Sequence, residues 1–360
     1  MSFWKEYRKW NIWLMALAVF FAAYFSLRQS RTAMNWLCGN VLLPVEQGVG
    51  RFAGRLSVSV AEVLIIAGLC AAFFSVVSFA RNMITKPQKK RRAVHFCMTC
   101  LCVGLSVYAG FCLLWGTFYN TESFQDKSGM AARGGTVEEL TALTEKFARY
   151  VCDTAQTAHR NESGQVALDV STVLDESVQA YEELYGEFPF LNVSTAAPKA
   201  FVASRGMSAL DFTGFYFPFT GEANVNVDAP AVYLPATCCH EIAHQKGISS
   251  EQECNFLGIL AAMESQNADF RYSGALMGYV YASNALYLVD YDAWETIRDT
   301  LPMLTLQDLQ EQREYWAQFE GPVKTVSTRI YDGFLKSNGD ENGIKSYGTV
   351  VDLLLAYEGI

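Results

Sequence analysis

The sequence predicts a helical membrane anchor followed by a mostly helical α+β domain, and three observations predict it. Hydrophobic residues make up 51% of the chain, yet the longest apolar runs all lie before residue 120. Charge divides at the same place: residues 1–118 hold 13 Lys and Arg against 3 Asp and Glu, and the rest holds 15 against 34. The acidic part alternates helix-period segments with one aromatic, β-branched stretch, which makes it α+β.

Residues 10–27 form a nearly uninterrupted apolar run of about the length that crosses a bilayer as a helix. Residues 63–80 are a second such run. The third, 94–118, ends in Trp115 and Phe118, an aromatic belt with Tyr119 just beyond. No A-x-A-like cleavage site ends the first run and further runs follow it, so it reads as an anchor, not a signal peptide. Lys5, Arg8 and Lys9 precede the first run, and Arg81, Lys86, Lys89, Lys90, Arg91 and Arg92 lie between the second and third. Both groups belong on the cytoplasmic side, against a weaker counter-signal from Arg28, Arg31, Arg51 and Arg55. Three crossings then put the N-terminus inside and everything after Tyr119 outside, in a multi-pass protein of the plasma membrane. The basic cluster reads as a topology determinant sooner than as a lipid or nucleic-acid site, and an acidic outer domain argues against nucleic acid as partner. Glu62 sits at an interface, where an acid reaches water. Cys97, Cys100 and Cys102 read as packing residues in an apolar helix.

Residues 120–136 turn polar and read as a linker, which leaves 137–360 as the outer domain. Thr136 followed by Glu138 and Glu139 starts a helix that Leu140, Leu143, Phe147 and Val151 continue to about His159. His159 reads as an exposed helix-end residue. A second amphipathic helix is expected over 171–185. Residues 201–227 predict short strands and a hairpin, hence a small antiparallel sheet. There Asn224-Val225-Asn226-Val227 alternates as a half-exposed edge strand does, one along which an extended peptide could pair. Further helices are expected over 274–287, 306–319, 323–336 and 347–357, with a polar turn at 337–343 around Asp340. Tyr279 and Tyr281 read as core. Four cysteines in the outer domain are too few and too unpatterned for a disulfide framework, and Cys238 and Cys239 read as packing residues.

The chain has four histidines, and two fall in His240-Glu241-Ile242-Ala243-His244. On a helix, positions i and i+4 share a face, so both imidazoles can bind one Zn²⁺ while Glu241 between them reaches its water as general base. Gly247 ends that helix and Ser250 caps the next. Two acids compete as third ligand. Glu253 would complete a capping box with Ser250 and lies on the stripe of Phe256, Leu257 and Leu260, a sufficient structural role. Glu251 shares a stripe with Cys254, Asn255, Gly258 and Ala262, whose small residues permit close approach to the histidine helix, and is favoured. Asn255, one turn on, could orient a histidine ring.

The run H-E-I-A-H followed by E-Q-E-C-N resembles the glutamate-ligand zincins, in which E-x-x-x-D follows on a second helix; here Asn255 stands for the aspartate and the spacing from His244 to Glu251 is short. Most of the chain resembles an uncharacterised bacterial membrane family catalogued as domain of unknown function 3810. That resemblance is carried by Phe217-Pro218-Phe219-Thr220-Gly221-Glu222-Ala223-Asn224, by the zinc segment with Asn255-Phe256, by Arg271-Tyr272-Ser273 and by Lys345-Ser346-Tyr347-Gly348. It implies a zincin-like metallopeptidase domain on a membrane anchor. The expectation is Zn²⁺ held by His240, His244 and Glu251, with Glu241 as catalytic base, acting on peptide or protein at the cell surface. The alternative is a non-catalytic zinc module that binds a protein or cell-wall partner; an intact Glu241 weighs against it.

Overall fold

The computed structural model of the protein describes residues 6–337 and 347–360. The turn expected around Asp340 and the Lys345-Ser346 pair lie outside them. The chain divides into two compact units. One comprises Met1–Glu46, Val60–Thr121 and Pro218–Thr220, and the other Gln47–Ser59, Glu122–Phe217 and Gly221–Ile360.

In the first unit α1 (Arg8–Leu27) is followed by α2 (Arg31–Leu37), which runs through a π-helical turn at Cys38–Leu42 into α3 (Leu43–Gly54), whose residues from Gln47 on belong to the second unit. α4 (Val60–Thr85) and α5 (Lys89–Phe111) follow, α5 continuing through a π-helical turn at Cys112–Gly116. Three helices, Arg8–Leu27, Val60–Thr85 and Lys89–Gly116, are long and apolar enough to cross a membrane. Their apolar side chains are largely uncovered, with 0% of the apolar stretch of α4 buried, which suits hydrocarbon as surroundings and not water. Indole nitrogens tie α1 to α5: Trp10 Nε1 donates to Thr99 Oγ1 at 3.1 Å and Trp13 Nε1 to Ser106 Oγ at 3.0 Å. Such bonds hold helices together where the hydrophobic effect cannot.

The second unit is built from α6 (Phe124–Ser128), α7 (Val137–Thr154), α8 (Val170–Glu176), β1 (Lys199–Ala200), α9 (Ser204–Ala209), β2 (Gly214–Phe217) and β3 (Glu222–Val225). α10 (Leu234–Gln245), α11 (Glu251–Glu264), α12 (Ala268–Val289), α13 (Tyr291–Arg298), α14 (Met303–Ala317), α15 (Pro322–Ser337) and α16 (Tyr347–Glu358) complete it. α7 starts at the expected cap: Thr136 and Glu139 form a reciprocal capping box, and Leu143, Phe147 and Val151 bury the predicted stripe. The segment read as a linker carries α6, whose Phe124 is fully buried among Phe188, Phe190 and Phe256. The single helix expected over 171–185 is broken. α8 ends at Glu176 and a 3₁₀ segment, Gln179–Tyr185, takes over. Three residues per turn keep Tyr181 and Leu184 on one buried face.

The sheet corrects two expectations. It is mixed, not antiparallel: its order is β1-β3-β2, with β1 parallel and β2 antiparallel to β3. β3 is therefore central, and the edge strand expected at Asn224–Val227 is not an edge. The Asn/Val alternation misleads because its polar members are satisfied internally. Ser59 Oγ donates to Asn224 Oδ1 at 2.6 Å, and Asn226 Nδ2 donates to Ser208 Oγ and Phe212 O.

Ser59 belongs to a stretch, 47–59, that reads in sequence as a loop between apolar runs and instead packs within the second unit. Lys199 Nζ donates to the carbonyls of Ala53, Leu56 and Val58, closing the end of α3. Gly50 lies so close to Gly221 that a Cβ there would stand 2.6 Å from the Gly221 carbonyl oxygen.

Away from the sheet, Arg160 forms a two-pronged pair with Asp308 at 2.9 and 2.8 Å, and Tyr272 Oη donates to the same carboxylate at 2.5 Å. Asp308 is 2% exposed. Its removal takes the carboxylate partner from a largely covered guanidinium that keeps the Ala155 and Gly164 carbonyls, and leaves the buried Tyr272 phenol with Thr305 Oγ1, so Asp308→Ala is expected to cost about 3 kcal/mol. A thermal melt of the full chain in detergent checks this, with a lower midpoint as the result.

Candidate metal centre

α10 carries Pro235 in its first turn, where a missing N–H costs nothing. All of Leu234–Gln245 is buried except His240. The i, i+4 spacing places the His240 and His244 rings 4.9 Å apart at 82°. Gly247, at φ +84°, then reverses the chain, and Ile248 N returns to Ala243 O at 3.2 Å. This turn brings the Ile248 carbonyl within 2.8 Å of His244 Nδ1. An acceptor there assigns a proton to Nδ1 and makes Nε2 the ring atom that can act as a ligand.

Ser250 opens α11, its Oγ accepting from Glu253 N at 3.4 Å. Glu251, first in the helix, sets Oε2 at 3.3 Å from His240 Nε2 and Oε1 at 3.6 Å from His244 Nε2. One ligand atom from each of His240, His244 and Glu251 lies within 4.8 Å of the others. Gly258 makes this approach possible, because a Cβ there would stand 3.0 Å from Ala236 O and 3.1 Å from His240 N. Glu253 faces elsewhere: it accepts from Phe124 N at 2.9 Å, Gln125 N at 3.2 Å and Gln125 Nε2 at 3.4 Å. Its carboxylate thus caps α6 and not, as the sequence suggests, its own helix. Of the two competing acids, the structure brings Glu251 to the histidines.

Glu241 is 3% exposed, and its Oε2 is buried without a hydrogen-bond partner among the described residues. Gly214 of β2 lies against it, so close that a Cβ there would stand 2.8 Å from Glu241 Cγ and Cδ. Burial pushes the Glu241 carboxyl up to about 7, with His240 and His244 opposing the rise. Burial would also raise Glu251, but His244 and His240 outweigh it and hold that carboxyl well below the usual range. For His244, burial disfavours the charged ring while Cys254 and Glu251 favour it, and the net direction is upward. The Cys254 thiol, raised by burial to about 11, is neutral at pH 7, so the carboxylate is the partner that matters.

The ring-orienting part expected of Asn255 falls to Ile248 and to Cys254, whose Sγ lies 3.3 Å from His244 Nδ1. Cys254 follows Glu251 by three residues, and that spacing was its signal. Lys246 was missed too. It is 2% exposed, its Nζ donates to Tyr185 Oη, Leu191 O and Val193 O, and it lies over the Tyr181 and Tyr185 rings. Burial lowers it to about 8. It fastens the end of α10 to the 3₁₀ segment. Arg271 caps α11 through the carbonyls of Ser265 and Gln266, while Tyr272 and Tyr279 are core. His159 lies beyond the end of α7, mostly exposed, with Nδ1 at 2.8 Å from Asp269. Among the described residues no cysteine is in a disulfide.

Three membrane-length helices and a His-His-Glu cluster in a separate helical unit define the class. Within it, the chain belongs to the protein family of unknown function DUF3810, whose sequence model matches residues 40–355. No curated protein and no solved structure matches the chain.

Glu253→Ala is expected to leave the Phe124 and Gln125 amides without an acceptor, at a cost of about 1–3 kcal/mol. Hydrogen exchange would read this as faster exchange across α6, with the amides of α10 unaffected.

Proposed function

We propose that this protein is a membrane-anchored, zinc-dependent metallopeptidase whose zincin-like domain hydrolyses peptide bonds outside the cytoplasm. The observation that carries the reading is a buried, unpartnered carboxylate oxygen on Glu241, one turn or less from two imidazoles that converge with Glu251. The residues fit zinc: two ring nitrogens and one carboxylate oxygen are a catalytic donor set that leaves a coordination position open. An apolar or purely structural site has no use for a second acid buried beside it.

Bound by His240, His244 and Glu251, zinc would supply the Lewis acidity that makes water a nucleophile near neutral pH. Glu241 supplies the base. Its carboxyl, poised by burial near 7, takes the proton of the attacking water at Oε2 and returns it to the leaving amine nitrogen. Ile248 and Cys254 hold the His244 ring, and Gly258 keeps α11 against α10. β2, an edge strand whose Gly214 abuts Glu241, is the strand along which an extended peptide would pair backbone to backbone.

The same reading places the N-terminus in the cytoplasm and the second unit outside. Supporting it, residues 47–59, 122–217 and 221–360 form one unit, so an even number of crossings separates 47–59 from the rest, as α4 and α5 provide. A membrane-impermeant thiol reagent applied to whole spheroplasts should label Ser57→Cys and Glu320→Cys, and reach Lys89→Cys only after lysis. Labelling of Lys89→Cys in intact spheroplasts would reverse the topology.

Metal analysis of the purified full chain should find about one zinc, retained in Glu253→Ala and lost in Glu251→Ala. Glu241→Gln should keep the metal and lose about 10²-fold or more in cleavage of a peptide library. Absence of zinc from the wild type overturns the reading. Zinc with no cleavage of any peptide or cell-surface protein replaces it with a binding module.

A further inference from the structure

We propose that the cleft between α4 and α5, at their basic ends, binds the headgroup of an anionic phospholipid. The inference is independent of the hydrolase reading. The cleft has a volume of about 510 Å³. One wall is a polar stripe inside an otherwise apolar helix: Ser75, Ser78 and Asn82 recur at i, i+3 and i+7 on α4 and all line it. Asn82 Nδ2 reaches Ser78 Oγ at 3.4 Å, a long bond that leaves most of their donor capacity facing the cleft. Polar side chains at membrane depth are costly unless they meet a partner.

Across the cleft stands Arg92 of α5. Its Nε donates to Pro87 O at 3.0 Å, which fixes the guanidinium plane and leaves the two terminal nitrogens to the cleft. Among the described residues no acid pairs with it. Its neighbour Arg91, by contrast, is paired with Glu6 at 2.9 Å. A fixed guanidinium edge matches the two oxygens of a phosphodiester. Arg81, Lys86 and Lys89 add positive potential around the mouth.

The ligand must also be apolar on one side. Phe79 stacks on Phe96 at 4.2 Å and 10°, forming the cleft's floor, and Phe74, 67% exposed, continues the wall one turn deeper along α4. Free phosphate would leave these aromatic surfaces uncovered, whereas an acyl chain covers them. His95 closes one end, its ring held against Tyr7 and Trp10 at 5.0 and 4.6 Å.

The test is native mass spectrometry of the full chain in detergent micelles, offered phosphatidylglycerol or phosphatidylcholine of identical acyl chains. One phosphatidylglycerol should be retained about tenfold better than phosphatidylcholine. Arg92→Gln should lose about tenfold of that retention, and Ser78→Trp, which fills the cleft on an exposed helix face and keeps the cation, should lose as much. Lys90→Gln, outside the cleft, should change it by less than about twofold. Equal retention of both lipids, an inert Arg92→Gln or Ser78→Trp, or a Lys90→Gln effect matching that of Arg92→Gln would overturn the proposal. So would full displacement of the lipid by millimolar inorganic phosphate, which marks a free-anion site.

Discussion

Two imidazoles on one helix and a carboxylate on another can meet at a point only if the helices come closer than ordinary side chains permit. Gly258 supplies that closeness, its Cα facing the backbone of Ala236 and His240. Everything else at the cluster follows from it. The turn at Gly247 is short because α11 starts where α10 can be reached, and its Ile248 carbonyl is spent on the His244 ring. Glu251, as the first residue of α11, is carried to both Nε2 atoms by helix position alone. A Cβ at position 258 would move the whole second helix, and with it the one ligand that the first helix cannot provide.

Elsewhere the second unit uses buried polar groups as ties between distant stretches of chain. Glu253 holds α6 from a separation of 129 residues, Asp308 holds Arg160 from 148, and Asn224 holds Ser59 from 165. Each tie leaves its buried donors and acceptors matched, which is the condition for burying them at all. Glu241 breaks the pattern, and it does so beside the histidines. Gln245 Nε2 and Gln252 Oε1 are also buried and unmatched, and Glu241 is set apart by being a carboxylate adjacent in sequence to His240.

The sequence announced what is local and periodic. The three apolar runs, the Thr136 cap, the stripe of Leu143, Phe147 and Val151, and the spacing of His240 and His244 depend on neighbours within a few turns. Small residues in register with Glu251 announced the close helix contact. Long-range partners were illegible. Asn224 and Asn226 looked solvent-facing because nothing in their neighbourhood names Ser59 or Ser208. Glu253 looked like the second half of a capping box, since the N-terminus it serves begins at Phe124. Cys254 was read only as a small residue on the Glu251 stripe, although its spacing from Glu251 also placed it by the His244 ring, and residues 47–59, with Gly48, Gly50, Arg51 and Arg55, looked like a connecting loop.

That last stretch changes what counts as the soluble part of this protein. Cutting the chain after its third apolar helix, the obvious place to free a domain for crystallisation, would discard the partner of Asn224, the three carbonyls that cover the Lys199 ammonium and the glycine face that shields Gly221. The excised piece would begin life with β1 uncovered, at the edge of the sheet opposite the strand that touches Glu241. A self-sufficient version needs residues 47–59 returned to it, spliced ahead of Glu122 or supplied as a peptide, so the unit that looks extramembranous is discontinuous in the gene.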